Sequence, residues 1–259
     1  MDIVQKKILV LATYAGEIMM RNGAEIYRVE DTVTRICKAC GIPYVNVFAT
    51  PTGLFVSLDS RSSDYSQTSI KRIHGNTTNL SKISQVNQFS RRFTTTDLSV
   101  DEGMEILRQI DRKEAYPLPV RLLGAAMVAS FFCLLCGGNE IDFCVALLSG
   151  ACCYLFSVLL KKLDINSFVT GFCCCSLASV IALSAAASIK PASFDPIIIG
   201  TIMIFVPGVA LTNSIRDFLS GDMLSGVARI VEAMLTAVSL AAGAGVVMKI
   251  WEVLGGPIS

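Results

Sequence analysis

The stretch FVPGVALTNSIRDFLSGDML, residues 205–224, sets Asn213, Arg216, Asp217 and Asp222 between two apolar runs. As a helix, it would place Asn213, Arg216, Asp217 and Ser220 on one face. Pro207-Gly208 stands just before, where a broken helix frees backbone carbonyls, and transporters build substrate and ion sites at such breaks. Further on, Asp222, Gly226, Arg229, Glu232, Thr236, Ser239 and Gly243 recur every three or four residues, giving the last apolar run one polar, small-residue face. Arg229 and Glu232 can pair at i, i+3. The alternative is a solvated loop and helix cap with Glu232 snorkelling. Against it stands the cost of an ionisable group within a span, ~2.5–3.5 kcal/mol. The residues alone leave both readings open.

The composition says what must position these groups. Of 259 residues, 53% are hydrophobic and 17% charged, with a mean hydropathy of +0.58. The average hides a division. Residues 1–116 are mixed and charged, whereas from Leu122 onward charges are confined to short punctuating segments. A net charge of +1 and the lack of a long basic run argue against nucleic-acid binding.

The first part reads as an α+β domain, 1–116. Val4, Ile8, Leu11, Ala12, Ala15 and Met19 form a helical stripe, unlike the all-round apolar core of a secretory signal. Asn22 is predicted to cap a second helix, with Glu25 at the capping-box position and Gly41 then Pro43 closing it. Its stripe is Val29, Val33, Ile36, Cys37 and Cys40. YVNVFA and LFVSL read as strands joined by TPTG, and TSIKRI adds a third, ended by His74-Gly75-Asn76. Helices over about 79–92 and 99–114 complete the domain, and Tyr116-Pro117-Leu118-Pro119 is the linker.

The second part, 117–259, reads as an all-α polytopic membrane domain of about five spans: 122–138, 142–160, 165–189, 196–212 and 227–248. Each approaches the ~20 residues needed to cross hydrocarbon. The fourth is short and can be re-entrant. Arg112, Lys113 and Arg121 precede the first span, Lys161 and Lys162 follow the second, and Arg216 follows the fourth. The positive-inside rule then puts the N-terminal domain in the cytoplasm and the C-terminus outside.

Other candidate chemistry is incomplete. Eight of the ten cysteines lie in apolar runs, where cysteine behaves as a small hydrophobe. Cys37 and Cys40 form a CxxC without a second pair, and His74, the single histidine, does not complete a zinc set. Neither a metal nor a cofactor is expected. Ser57, His74 and Asp59 contain the residue types of a hydrolytic triad, but no nucleophile elbow surrounds Ser57. The chain is not expected to be an enzyme.

GAEIYRVEDTVTRIC, ATPTGLFVSL and GTIMIFVPGVALTNSIRDFLSGDMLSGVARIVEA, in that order, resemble the threonine/serine exporter family over nearly the whole chain. The resemblance implies a bacterial inner-membrane exporter of small polar metabolites with a cytoplasmic N-terminal domain. It covers single chains of about ten spans and split pairs, and this chain looks like the larger subunit of a split pair. A smaller membrane subunit is then an expected partner, together with a small-molecule substrate, the lipid bilayer and a larger oligomeric assembly. On this reading Arg216 or Arg229 meets the substrate carboxylate, and Thr212 and Asn213 bond its polar groups. Asp217, Asp222 or Glu232 exchanges a proton, with Pro207 and Gly208 as the helix break. Proton coupling is expected because no ATP-binding motif is present. Dicarboxylates such as succinate are the alternative substrates. A membrane sensor or scaffold, or a membrane-anchored hydrolase, is the alternative class.

Overall fold

The computed structural model describes residues 3–59, 67–75, 77–113 and 116–256. Asn76, Glu114 and Ser259, which close the expected third strand, fourth helix and C-terminus, lie outside the described residues. The chain divides into two compact units: Met1–Glu114 with Val209–Val231, and Ala115–Gly208 with Glu232–Ser259.

In the first unit, α1 (Ile3–Arg21) and α2 (Ile26–Ala39) precede an antiparallel sheet of β1 (Tyr44–Thr50), β2 (Gly53–Asp59) and β3 (Gln67–Arg72) in that order. Thr50 pairs with Gly53 across the Pro51-Thr52 turn, which fixes the register through Tyr44 opposite Asp59. Alternation then sends Leu54, Val56 and Leu58 of β2 inward and Phe55 outward. They pack with Leu11, Ile18 and Met19 of α1 and Val29, Val33 and Ile36 of α2 in one apolar core. Val4, the first residue of the expected α1 stripe, is exposed. α3 (Leu80–Thr95) and α4 (Val100–Arg112) add Val86, Phe89 and Leu107 to that core. α4 opens on a capping box between Ser99 and Glu102.

One expectation fails here. Asn22 does not cap α2; its Nδ2 donates to the Ile18 carbonyl at 2.6 Å and so finishes α1. Gly23 then turns the chain at φ +84°, a conformation open to glycine, and α2 begins only at Ile26. Glu25 occupies its N-cap position without making a side-chain cap.

The second unit is helical. α5 (Leu118–Leu135), α6 (Glu140–Lys162) and α7 (Ser167–Ser188) are long and apolar enough to cross a membrane, as is α10 (Met223–Val253), whose residues from Glu232 onward belong here. Among the described residues there are thus four continuous candidate spans, where the sequence suggested about five. The run predicted as the fourth span divides into α8 (Phe194–Ile202), a non-helical stretch at 203–207, and α9 (Gly208–Leu219). Pro207 has no N–H to donate and disfavours helical backbone at Val206, which ends helix growth there.

Packing in this unit depends on small residues. Ala125, Ala129 and Ser130 of α5, Gly150 and Cys153 of α6, and Ala178 and Ala182 of α7 are buried. A side chain at Gly200 of α8 would place its Cβ 2.3 Å from the Ala129 carbonyl oxygen, so α5 and α8 touch backbone to backbone. Asp142, fully buried, caps α6 by accepting from Asn139 N at 3.0 Å and also accepts from Ser193 N at 2.7 Å. That carboxylate ties the start of α6 to the start of α8.

Candidate functional site: a buried ion-pair network

Within the first unit, α9 and the start of α10 return to the Gly23–Ile26 turn, about 190 residues away in sequence. Asn213 Nδ2 donates to the Gly23 carbonyl at 2.9 Å. Asp217 Oδ1 accepts from Ile26 N at 3.1 Å. Arg229 donates to the Ala24 carbonyl at 2.6 Å, and Arg216 pairs with Glu25 Oε1. The other Glu25 oxygen takes Arg28 at 2.8 Å.

Asp217 supplies the cap that α2 lacks locally. A helix start leaves unsatisfied N–H groups and a partial positive charge, and a carboxylate answers both. The Asp217 side chain is 0% exposed, and its Oδ2 lies 3.2 Å from Arg229 Nε. That approach is an ion pair without hydrogen-bond alignment, since Oδ2 accepts no hydrogen bond among the described residues. One carboxylate oxygen is thus satisfied and the other is held by charge alone.

Burial divides the two acids. In Glu25 burial pushes the pKa upward, but hydrogen bonds from Arg28 and Arg216 outweigh it and the carboxyl sits below its ordinary value. In Asp217 burial prevails over Arg229 and the Ile26 N–H, and the pKa is raised. Burial also raises Asp222, and it raises Glu30 further along α2, which feels the Asp222 charge and accepts from Ala49 N at 2.9 Å. Two carboxylates whose environments push them apart can divide the work, one staying charged and one taking a proton.

The expected site residues separate accordingly. Asn213, Arg216, Asp217 and Arg229 come together on the Gly23–Ile26 turn. Arg229 makes its ion pair with Asp217 rather than with Glu232, the partner expected from i, i+3 spacing, because Asp217 is buried beside it. Asp222 is half-buried at the α9–α10 junction. Thr212 is exposed on α9, and Glu232 is exposed on the part of α10 that belongs to the second unit. Pro207 closes the non-helical stretch and Gly208 opens α9. Elsewhere, burial pushes the Cys37 thiol up to about 12, so it stays protonated. Ser57 Oγ accepts from Thr68 Oγ1 at 3.1 Å.

Sequence reasoning missed the other half of the network. GAEIYRVED reads by itself as a solvated helix face, yet it supplies two carbonyls, one N–H and Glu25. The available signal was a glycine with acids and an arginine close by, a combination that recurs in the distant 213–229 stretch.

Residues 10–251 match the family model described as "Putative threonine/serine exporter". The chain belongs to the threonine/serine exporter family. It is 25% identical over 256 residues to the "Threonine/serine exporter" of Corynebacterium glutamicum, covering 95% of this chain and 52% of that protein. It is 22% identical over 245 residues to the "Probable threonine/serine exporter" of Mycobacterium tuberculosis, covering 93% and 46%. The chain thus spans about half the length of the curated relatives it matches. No solved structure matches it. Family and apolar helices together make it a membrane protein of an exporter family.

Proposed function

We propose that the chain is the larger subunit of a split, proton-coupled secondary exporter of threonine/serine-type amino acids in the bacterial inner membrane. The observation that carries this reading is Asp217: fully buried, raised in pKa, paired with Arg229 and bonded to the start of α2. Protonating it removes the negative charge that holds Arg229. Arg216, half exposed, can exchange Glu25 for a substrate carboxylate. Asn213 and Thr212 offer polar groups beside it, and Asp222 and Glu232 are the further proton carriers.

The lysine and arginine bias supports an N-terminal unit in the cytoplasm and a C-terminus outside. Three complete spans, α5 to α7, carry the chain to the far side of the membrane, yet Val209–Val231 packs in one unit with Met1–Glu114. On this reading residues 194–208 bring it back. α8 covers roughly 13 Å and the five non-helical residues at most about 17 Å, against a hydrocarbon core of ~30 Å. A return through broken backbone is tolerated only where it lines a cavity or is covered by protein. The proposed smaller membrane subunit would serve as that cover.

Vesicles containing this chain with a co-expressed smaller membrane subunit should show counterflow of threonine and serine, and vesicles with this chain alone should show none. Flux by the chain alone would remove the split-subunit reading. Counterflow of succinate but not threonine would replace the substrate class. Silence in both preparations would favour a sensor or scaffold.

A further inference from the structure

α9 and the start of α10 have their polarity reversed. The inward side of α9 carries Asn213, Ser214 and Asp217, all buried, and the inward side of the first turns of α10 carries Ser225 and Gly226. The outward side carries Leu211, Ile215 and Leu219, each one turn from the next along α9, then Met223, Leu224 and Val227 on α10. Leu219 is 83% exposed and Met223 70%. α4, in the same unit, has the ordinary arrangement: Leu107 and Ile110 face in, while Asp101, Glu102 and Glu105 face out. A single exposed leucine is unremarkable on any protein. A continuous apolar row over buried polar groups marks a face made for an apolar neighbour.

The chain itself says what that neighbour is. The two helices form one surface, because Asp222 N donates to the Asp217 carbonyl at 2.9 Å and a side chain at Gly226 would meet the Phe218 ring at 2.9 Å. α10 is a single helix of 31 residues, long and apolar enough to cross a membrane. Its charge-free stretch runs between Glu232 and Lys249. That stretch covers about 24 Å, less than the ~30 Å hydrocarbon core, so the apolar layer reaches beyond it. At ~1.5 Å per residue, Met223 stands only about 14 Å before Glu232. Helical continuity therefore holds the start of α10, and α9 beside it, at the bilayer surface.

We infer that the outward face of α9 and of the first turns of α10 lies against lipid acyl chains at their boundary with the headgroups, and anchors the first unit there. α9 covers about 18 Å, too short to cross, and lies along the surface as an interfacial helix does. Against lipid the reversed polarity is the ordinary one: the apolar side meets the acyl chains, and the polar side is spent on protein. The ion-pair network, on the inner side of the same two helices, then lies directly beneath the bilayer surface. This anchoring holds whatever the chain transports.

Tryptophan fluorescence of the full chain in phosphatidylcholine vesicles, with acyl chains brominated or not, tests this. Trp251, the single tryptophan, is changed to Phe to give a parent protein. One tryptophan is then placed at Ile215, Leu219 or Met223, at Val238 in the span as the lipid reference, or at Glu105 as the water reference. All five positions are exposed, and the remaining α9–α10 positions carry the test if one variant melts below the parent. Brominated chains should quench Ile215→Trp, Leu219→Trp and Met223→Trp at least about half as strongly as Val238→Trp, and leave Glu105→Trp unchanged. Quenching of the three by aqueous acrylamide instead would put the face in water and overturn the assignment. Shielding from both quenchers would mean that protein, such as a second copy, covers the face, and would overturn it as well. Bromine quenching that disappears when the proposed smaller subunit is co-expressed would give the face to that subunit rather than to lipid.

Discussion

The two units bury opposite kinds of residue. The first keeps Leu11, Ile18, Met19, Ile26 and Ile36 fully inside. The second buries mainly Ala, Ser, Gly and Cys along α5, α6 and α7, while Leu123, Leu135 and Leu148 face outward at 63%, 78% and 64% exposure. In water, removing large apolar surface drives packing, so the largest side chains sort inward. In lipid that sorting force is absent, because tails are as apolar as leucine. Close backbone approach then decides the contacts, and small residues are what the helices share.

Gly200→Leu should have the largest effect. Its Cβ would meet the Ala129 carbonyl oxygen at 2.3 Å and Cys133 N at 2.8 Å, both backbone atoms that cannot swing aside. No monodisperse protein is expected on extraction, and a normally behaved variant would break the small-residue account of the membrane unit. Ile18→Ala comes next, with an expected loss of about 2–5 kcal/mol for the first unit in denaturant titration. Leu148→Ala, on the outward face of α6, should cost within about 0.5 kcal/mol. Equal losses at Ile18 and Leu148 would erase the contrast between the units.

A smaller effect separates the two acids of the network. Glu25 has a folded pKa below its ordinary 4.5, so its contribution to stability is present above that value and is lost as pH falls through the folded one. Asp217 is raised above 3.8, so its contribution is full below that pH and lost as pH rises through its folded value. Melting temperatures against pH should show Glu25→Gln flattening the acid limb below about 4.5. An unchanged acid limb would mean that Arg28 and Arg216 do not hold this carboxylate in solution.

Much of this was legible because periodicity encodes burial one element at a time. The stripe through Ile8, Leu11, Ala12, Ala15 and Met19, and the alternation of Leu54, Val56 and Leu58, each report a face that the fold then buries. α5, α6, α7 and α10 were legible from apolar length. The capping of α2 was not. Asn22 has the right type, but α2 starts only at Ile26, three residues too far along for Asn22 to cap it, and the actual cap, Asp217, stands 191 residues from Ile26. Local signals carry no term for so distant a partner. The division of 196–212 was half legible: Pro207 marked a break, but apolar length argued for one continuous span. The same limit separated GAEIYR from NSIRD, whose charges look like solvated faces until each is seen to satisfy the other.

The proposed role of Asp217 in coupling a proton to transport is tested most directly by Asp217→Asn. The amide keeps an oxygen for the Ile26 N–H but cannot ionise. In vesicles carrying the chain and the proposed smaller subunit, the variant should retain threonine exchange between the two faces and lose accumulation driven by a pH gradient. Gradient-driven threonine accumulation at the wild-type rate in Asp217→Asn would contradict the account.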